Sequence, residues 1–270
     1  QPFAKRKPLT LAGFMRAAQP PKKAFMYARS AKSAELAHKG GCEVIIIGYA
    51  SLMCGRFALF TPLDRLARKV GASVPEQKVV FRYNVAPGTW ITAVRQPSEN
   101  EPPVIDQMWW GYRPRWAKST GNQPINARVE TVATNAYFKS AFARHRCLIP
   151  ADGWYEWIKD TKPKQPHYLC RKDRKPLFFA GIFAEREDGS LGCAIITEPA
   201  RGSATDVHDR MPLILDDASL EHWLAPDLTD RETIRSMVHH LDADLIEHWP
   251  VSTLVNKPVE GQGEELINPA

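Results

Sequence analysis

The chain has 270 residues, 44% of them hydrophobic, which suffices for one large domain or two small ones with a real core. Its formal net charge is +6, but residues 1–52 hold nine Lys or Arg against Glu35 and Glu43, a net of +7, so the remaining 27 basic and 28 acidic residues sum to −1. Bulk charge therefore excludes a general polyanion binder over residues 53–270, and any contact with nucleic acid must come from a local cluster of Arg and Lys.

Other classes fall away on similar grounds. Val44-Ile45-Ile46-Ile47 is far too short to span a bilayer, so no membrane role is expected. The five cysteines are odd in number and widely spaced, with no CxxC pair, which argues against a disulfide scaffold and a structural zinc site and for a reducing compartment. The eight histidines are scattered; His239 and His240 are read as solvated on a helix, and no metal or cofactor is expected.

Taken in order, residues 1–40 are basic, rich in Ala, Pro and Lys, and lack sustained apolar periodicity, so they are expected to be disordered. Three readings stay open for residues 1–52: a translated stretch upstream of a true start at Met53, a processed leader, or a retained basic tail. Residue 1 is Gln, so the first residue is not expected to be a natural start without processing. Residues 41–52 could form a strand.

From Met53 the signals sharpen, and residues 53–270 read as one domain. Residues 53–60 are a predicted strand. Thr61 is expected to cap a helix with Pro62 at its first position and Asp64 in its first turn. Leu63, Leu66 and Val70 form the apolar stripe of that helix, and Gly71 ends it. Strands are predicted over 79–84, 89–95 and 104–112, followed by the loop Pro114-Arg115-Trp116. A short helix over 135–144 comes next. Residues 147–159, 166–171, 176–185, 191–197 and 211–215 read as strands, with Asp188-Gly189 as a hairpin turn. A helix is predicted over 218–224. Thr229-Asp230-Arg231-Glu232 has the form of a capping box opening a helix over 230–240. Residues 249–267 look like irregular strand and loop. Many strands and few helices predict an α+β domain with a curved, barrel-like, mainly antiparallel sheet.

The chemistry concentrates at Met53-Cys54-Gly55-Arg56-Phe57. If residue 53 is removed, Cys54 carries a free α-amine beside its thiol. Such a 1,2-aminothiol condenses with an aldehyde, the nitrogen giving an imine and the sulfur closing a thiazolidine ring. An internal cysteine cannot do this because its nitrogen is an amide. The amine, with a pKa of roughly 7.7–8.0, keeps a useful neutral fraction at physiological pH. Without that context a lone cysteine is a small buried hydrophobe.

Three further stretches hold reactive groups that packing does not need: Ile125-Asn126-Ala127-Arg128-Val129-Glu130-Thr131, Ala151-Asp152-Gly153-Trp154-Tyr155-Glu156-Trp157 and Val207-His208-Asp209-Arg210-Met211-Pro212. With Met53–Arg56, Arg82-Tyr83-Asn84-Val85-Ala86-Pro87 and the closing Pro250-Val251-Ser252 and Val255-Asn256, they resemble the SRAP family (SOS-response-associated peptidases, or abasic-site processing proteins). The resemblance runs from Met53 to about Pro269; residues 1–52 lie outside it. In that family the cysteine after the initiator Met is catalytic and N-terminal, whereas this chain has 52 residues ahead of it.

The resemblance implies a protein that binds single-stranded DNA and captures the ring-opened abasic sugar, an aldehyde, as a stable DNA–protein cross-link. That product shields the lesion from strand cleavage. It also implies a monomer acting in the DNA damage response, cytoplasmic and nucleoid-associated when on DNA. Cys54 is then the nucleophile. Glu156, flanked by Trp154 and Trp157, shuttles protons. Asn126 holds the amine and the sugar hydroxyls, and His208 acts as acid or base in ring opening. Arg56, Arg128 and Arg210 are the phosphate contacts, because guanidinium pairs bidentately with phosphate. Asn84 and Pro87 line the groove. Trp116 stacks on bases, although Ala117 stands where the family motif carries a second aromatic. Each has a plainer alternative: surface glutamate, turn asparagine, structural histidine paired with Asp209, arginine salt bridges. Two rival functions remain, an N-terminal-cysteine peptidase or amidohydrolase that could cut its own Met53–Cys54 bond, and a DNA-binding module without chemistry.

Overall fold

The computed structural model describes residues 54–73, 81–118, 123–158, 164–257 and 261–270, together with two short strands, β1 (Phe25–Tyr27) and β2 (Glu43–Ile45). The chain divides into two units, Gln1–Leu52 and Met53–Ala270. In the first, β1 pairs in parallel with β2, so a strand lies within the stretch expected to be disordered. The rest of that stretch, the flanks of the strand expected over 41–52, Met53, Val79, Val80 and Lys159 lie outside the described residues.

The second unit is built on two sheets. One has the order β14-β10-β9-β3-β4, from β3 (Phe57–Leu59), β4 (Arg82–Val85), β9 (Gly153–Trp157), β10 (Pro166–Arg171) and β14 (Ile246–Pro250). The other contains β5 (Trp90–Arg95), β6 (Val104–Trp110), β8 (Arg146–Ala151), β11 (Leu177–Glu185) and β12 (Leu191–Pro199). Because β11 pairs with both β8 and β12, the order β11-β8-β5-β6-β12 closes on itself as a five-stranded barrel, which abolishes its edges. Two short strands, β7 (Asn126–Arg128) and β13 (Arg210–Pro212), hang on the end of β12. Pairing is antiparallel except where β12 meets β6 and β7. The barrel-like α+β expectation therefore holds. Among the described residues no helix is long and apolar enough to cross a membrane.

The run expected as one strand over 147–159 is two strands broken at Asp152. The reason is the Asp152 carboxylate, which is buried and accepts from the N–H groups of Phe60 at 2.6 Å and Thr61 at 2.7 Å and from the Thr61 hydroxyl. Burial pushes this carboxyl above its ordinary value, and those hydrogen bonds oppose the shift. Thr61 is thereby taken from its expected role. Helix α1 (Leu63–Val70) starts with Pro62 at its N-cap and no side-chain cap, while Gly71 closes it at φ +68° as expected.

Helices α2 (Lys139–Arg144) and α3 (Leu220–Leu224) start later than predicted but end where expected, and one residue sets both C-terminal ends. Buried Arg146 donates to the carbonyls of Phe142 at 2.9 Å, Ala143 at 2.7 Å, Trp223 at 2.8 Å and Ala225 at 2.5 Å. Its guanidinium lies over the Trp223 ring at 5.6 Å, and burial draws its pKa down to about 10. A cation thus satisfies the orphan carbonyls of two helix C-termini against the barrel. Helix α4 (Arg231–Met237) is capped one residue later than the capping box implied: Asp230, not Thr229, accepts from Thr233 N at 2.8 Å. It ends at Met237, so His239 and His240 are not helical. Both stay exposed as expected, and His240 pairs with buried Glu198 at 2.7 Å, so only the helical placement is corrected.

Replacing Arg146 with Met would keep much of the apolar stem but strand four carbonyls. Unsatisfied buried groups cost roughly 1–3 kcal/mol each before relaxation. Urea unfolding should show stability lowered by about 3 kcal/mol or more, with the denaturant slope unchanged.

Candidate active site

Strand pairing carries Cys54 to Glu156. β3 runs antiparallel to β9 with Phe57 opposite Trp154, and the Tyr155 N–H donates to the Arg56 carbonyl at 2.9 Å. Extending that ladder lays Cys54-Gly55 beside Glu156-Trp157. The Cys54 N–H then donates to Glu156 Oε1 at 2.7 Å. Both residues are interior, Cys54 at 3% and Glu156 at 2% exposure. The alternation of β9 explains the burial: Trp154 enters the main core, whereas Tyr155 faces a smaller cluster with Tyr168, Cys170 and Val251. Gly153 opens the strand because a Cβ there would overlap the Tyr168 ring and the Leu169 carbonyl.

The Cys54 thiol also bonds to the Glu156 carboxylate. Burial pushes the thiol well above its ordinary value, the negative charge and hydrogen bond of Glu156 push it further, and Arg210 opposes them. The sulfur is therefore a protonated thiol at neutral pH. The backbone at Cys54 has φ +47°. A side chain in this left-handed region meets the preceding carbonyl, at a cost of about 1–2 kcal/mol. A residue with nothing attached to its nitrogen has no such clash.

Arg210 sits where β13 meets β12. Its guanidinium holds both oxygens of Glu130 and donates to the Thr197 carbonyl at 2.7 Å and hydroxyl at 3.3 Å. That pairing holds the Glu130 carboxyl below its usual range. Two residues back, His208 Nδ1 lies 2.9 Å from Asp209 Oδ1 and 3.1 Å from the Arg210 N–H. A protonated ring donates there to Asp209; the neutral Nε2–H tautomer accepts from Arg210. The two states of the imidazole thus have different partners already in place.

The other predicted residues are distributed as follows. Asn126 begins β7, half-buried, and Arg128 ends it, exposed. Arg56 donates to Asn84 Oδ1 at 2.8 Å and to the Val255 carbonyl at 2.8 Å. Asn84, 1% exposed, spends its amide on the carbonyls of Val255 and Gly261. It is an interior brace that holds Arg56 and the C-terminal segment to β4. Pro87 is half-buried in the turn before Gly88, which needs its φ of +69°. Trp116 stands out at 70% exposure, its ring edge-on to Tyr137 at 5.4 Å. Tyr137 supplies an aromatic neighbour that position 117 lacks, through a contact between segments far apart in sequence. Glu130 and Thr197 were not anticipated; a carboxylate two residues after Arg128 was the available signal for the first. Among the described residues no group of three or more His, Cys, Asp and Glu is placed to hold a metal.

Comparisons with known proteins identify the family and the fold. The family model described as SOS response associated peptidase (SRAP) matches residues 53–258. The abasic site processing protein YoqW of Bacillus subtilis is 37% identical over 225 residues, covering 80% of this chain and 99% of its own length. The abasic site processing protein YedK of Escherichia coli is 36% identical over 228 residues, covering 80% and 100%. A crystal structure of a phage-related protein from Bordetella bronchiseptica superposes with a TM-score of 0.60 at 31% identity, over 74% of this chain and 95% of its own. A Bacteroides thetaiotaomicron protein shares the fold, with a TM-score of 0.68 at 22% identity over 80% of this chain and 100% of its own.

The thiol's electrostatics predict its reactivity. Alkylation of Cys54 by iodoacetamide, followed by mass spectrometry, should stay slow through the ordinary cysteine range and rise only well above pH 9. Glu156→Gln removes the charge that opposes the thiolate, so the rise should move to lower pH. Each pKa unit removed is worth about tenfold in thiolate.

Proposed function

The chain belongs to the SRAP family of abasic site processing proteins, and from that premise we propose that Cys54, freed at its nitrogen, captures the aldehyde of an abasic site in single-stranded DNA as a thiazolidine cross-link. The observation that carries this reading is the 2.7 Å contact from the Cys54 nitrogen to Glu156 Oε1. A peptide N–H occupies that contact in this chain; an α-ammonium would meet the same carboxylate in its place. The left-handed φ at Cys54 also supports a free nitrogen, since removal of residue 53 relieves it.

The steps follow from the groups at hand. Glu156 takes a proton from the ammonium, and the amine attacks the aldehyde carbon. The protonated carboxyl returns its proton to the carbinolamine hydroxyl, which leaves as water and yields the iminium. The thiol then adds to the same carbon and gives its proton to the Glu156 carboxylate, which is free again after the dehydration. Starting from the ammonium, the balance is one thiazolidine, one water and one proton released. A protonated thiol suits this order, because sulfur is needed only at the second step. The same property weighs against the peptidase reading, which needs a thiolate at the outset. Arg128 and Trp116, both exposed, are the residues proposed to meet phosphate and base, with the 28 acids of residues 53–270 leaving no bulk attraction to do it instead.

Protein beginning at Cys54 should give a heat-stable adduct with an abasic single strand in denaturing gels. Protein retaining Met53 should give none that lasts. Cys54→Ser should leave at most a reversible imine, and Glu156→Gln should slow capture by roughly a hundredfold. A durable adduct from the Met53-bearing form would exclude the ring mechanism.

A further inference from the structure

Cross-linking as proposed releases a proton at a carboxylate that is itself buried, so the proton needs a path out. Family resemblance assigns proton transfer to Glu156 and His208 alone. The five-stranded sheet holds another set of titratable groups beside Glu156.

β10 pairs with β9 so that His167 stands directly opposite Glu156. Directly opposed side chains leave the same face of a sheet, with Cβ atoms about 4.5–5.5 Å apart. Leu169, on the same face of β10, lies in the main core with Trp154. On the far side β14 places His248 opposite Leu169, hence on that face too. The rings meet, His167 Nδ1 to His248 Nδ1 at 3.0 Å. The other nitrogen of His248, Nε2, lies 3.6 Å from Asp206 Oδ2, at the end of the 3-10 turn Gly202–Asp206 that packs on β14. The Asp206 side chain is 70% exposed. His167 is buried and His248 mostly so, so the series runs from interior to solvent.

We propose that His167, His248 and Asp206 form a proton relay that connects Glu156 to bulk water during cross-link formation. The inference rests on the cross-linking reading above. An imidazole takes a proton at one nitrogen and gives up the one on the other, and the two rings are joined in that sense. His167 accepts from the Glu156 carboxyl at Nε2 and releases from Nδ1 to His248 Nδ1. His248 then releases from Nε2 to Asp206 and water. No bond between heavy atoms changes, and the one proton delivered is the one that the balance above leaves over. The Nδ1–Nδ1 contact requires one donor and one acceptor, so the pair holds a single shared proton. Burial first, and His248 second, hold the His167 pKa below its ordinary value. The ring is therefore neutral and ready to accept at physiological pH. The groups facing His167 are Glu156 from β9, His248 from β14 and, through His248, Asp206.

The test uses protein beginning at Cys54 and an abasic single strand, with adduct formation followed in single turnover across the neutral range. His248→Gln, the less buried position, is the primary variant and His167→Gln the second. Each should slow capture about tenfold near neutrality and shift its pH profile, added imidazole should restore the rate, and affinity for the strand, measured in a Cys54→Ala background, should not change. Wild-type rates in both variants would overturn the relay. Slowing that imidazole does not relieve would also overturn it, as a packing effect. If the unsubstituted protein forms no adduct, the cross-linking reading itself has failed, and that outcome is visible before any variant is compared.

Discussion

The site depends on one hydrogen bond, from the nitrogen of Cys54 to the carboxylate of Glu156, made where neither group has free access to water. A carboxylate in that position is costly unless something with a proton to share stands against it. The backbone nitrogen and the thiol of Cys54 both do so. Nitrogen and sulfur of one residue are thereby gathered on one proton acceptor, the arrangement that a two-point capture of a single carbonyl carbon requires. The β3–β9 ladder makes it reproducible, since a one-residue slip would turn Glu156 to the opposite face.

The rest of the polar interior steadies this contact. Thr197, wholly buried near the end of β12, has Arg128 opposite it on β7 and Pro212 opposite it on β13, and its oxygens anchor Arg210. Arg210 is clamped a second time by Glu130, so its charge stays close to the thiol without being free to swing away. The Asp152 carboxylate ties the end of β8 to the start of α1, and Asn84 ties β4 to the C-terminal segment. Each is a buried polar side chain satisfied by backbone from a distant part of the chain, which fixes positions more sharply than apolar contact alone.

The places where sequence reasoning missed share that cause. Thr61 and Thr229 both stand where caps belong, and local pattern favours them. Thr61 instead donates to Asp152, 91 residues away, and Asp230 outcompetes its neighbour for the α4 cap. Arg146 lies in no motif, yet it ends two helices through carbonyls up to 79 residues distant. His167 and His248 carried no motif, being 81 residues apart, and only the order β14-β10-β9 sets them in line with Glu156.

What the sequence determined by itself was everything encoded locally: strand periodicity, the glycine that must close α1, and the hairpin at Asp188-Gly189. The ordered set of motifs also marked the family. The tertiary structure alone decided which residues of those motifs touch. It brought Glu156 to Cys54, assigned Arg210 to Glu130, turned Asn84 inward and set two histidines behind the carboxylate. Hydrophobic pattern specifies which face of a strand is buried, but it does not specify which strand lies alongside. Contacts between distant residues follow from sheet order and register, which arise from the closure of the whole barrel.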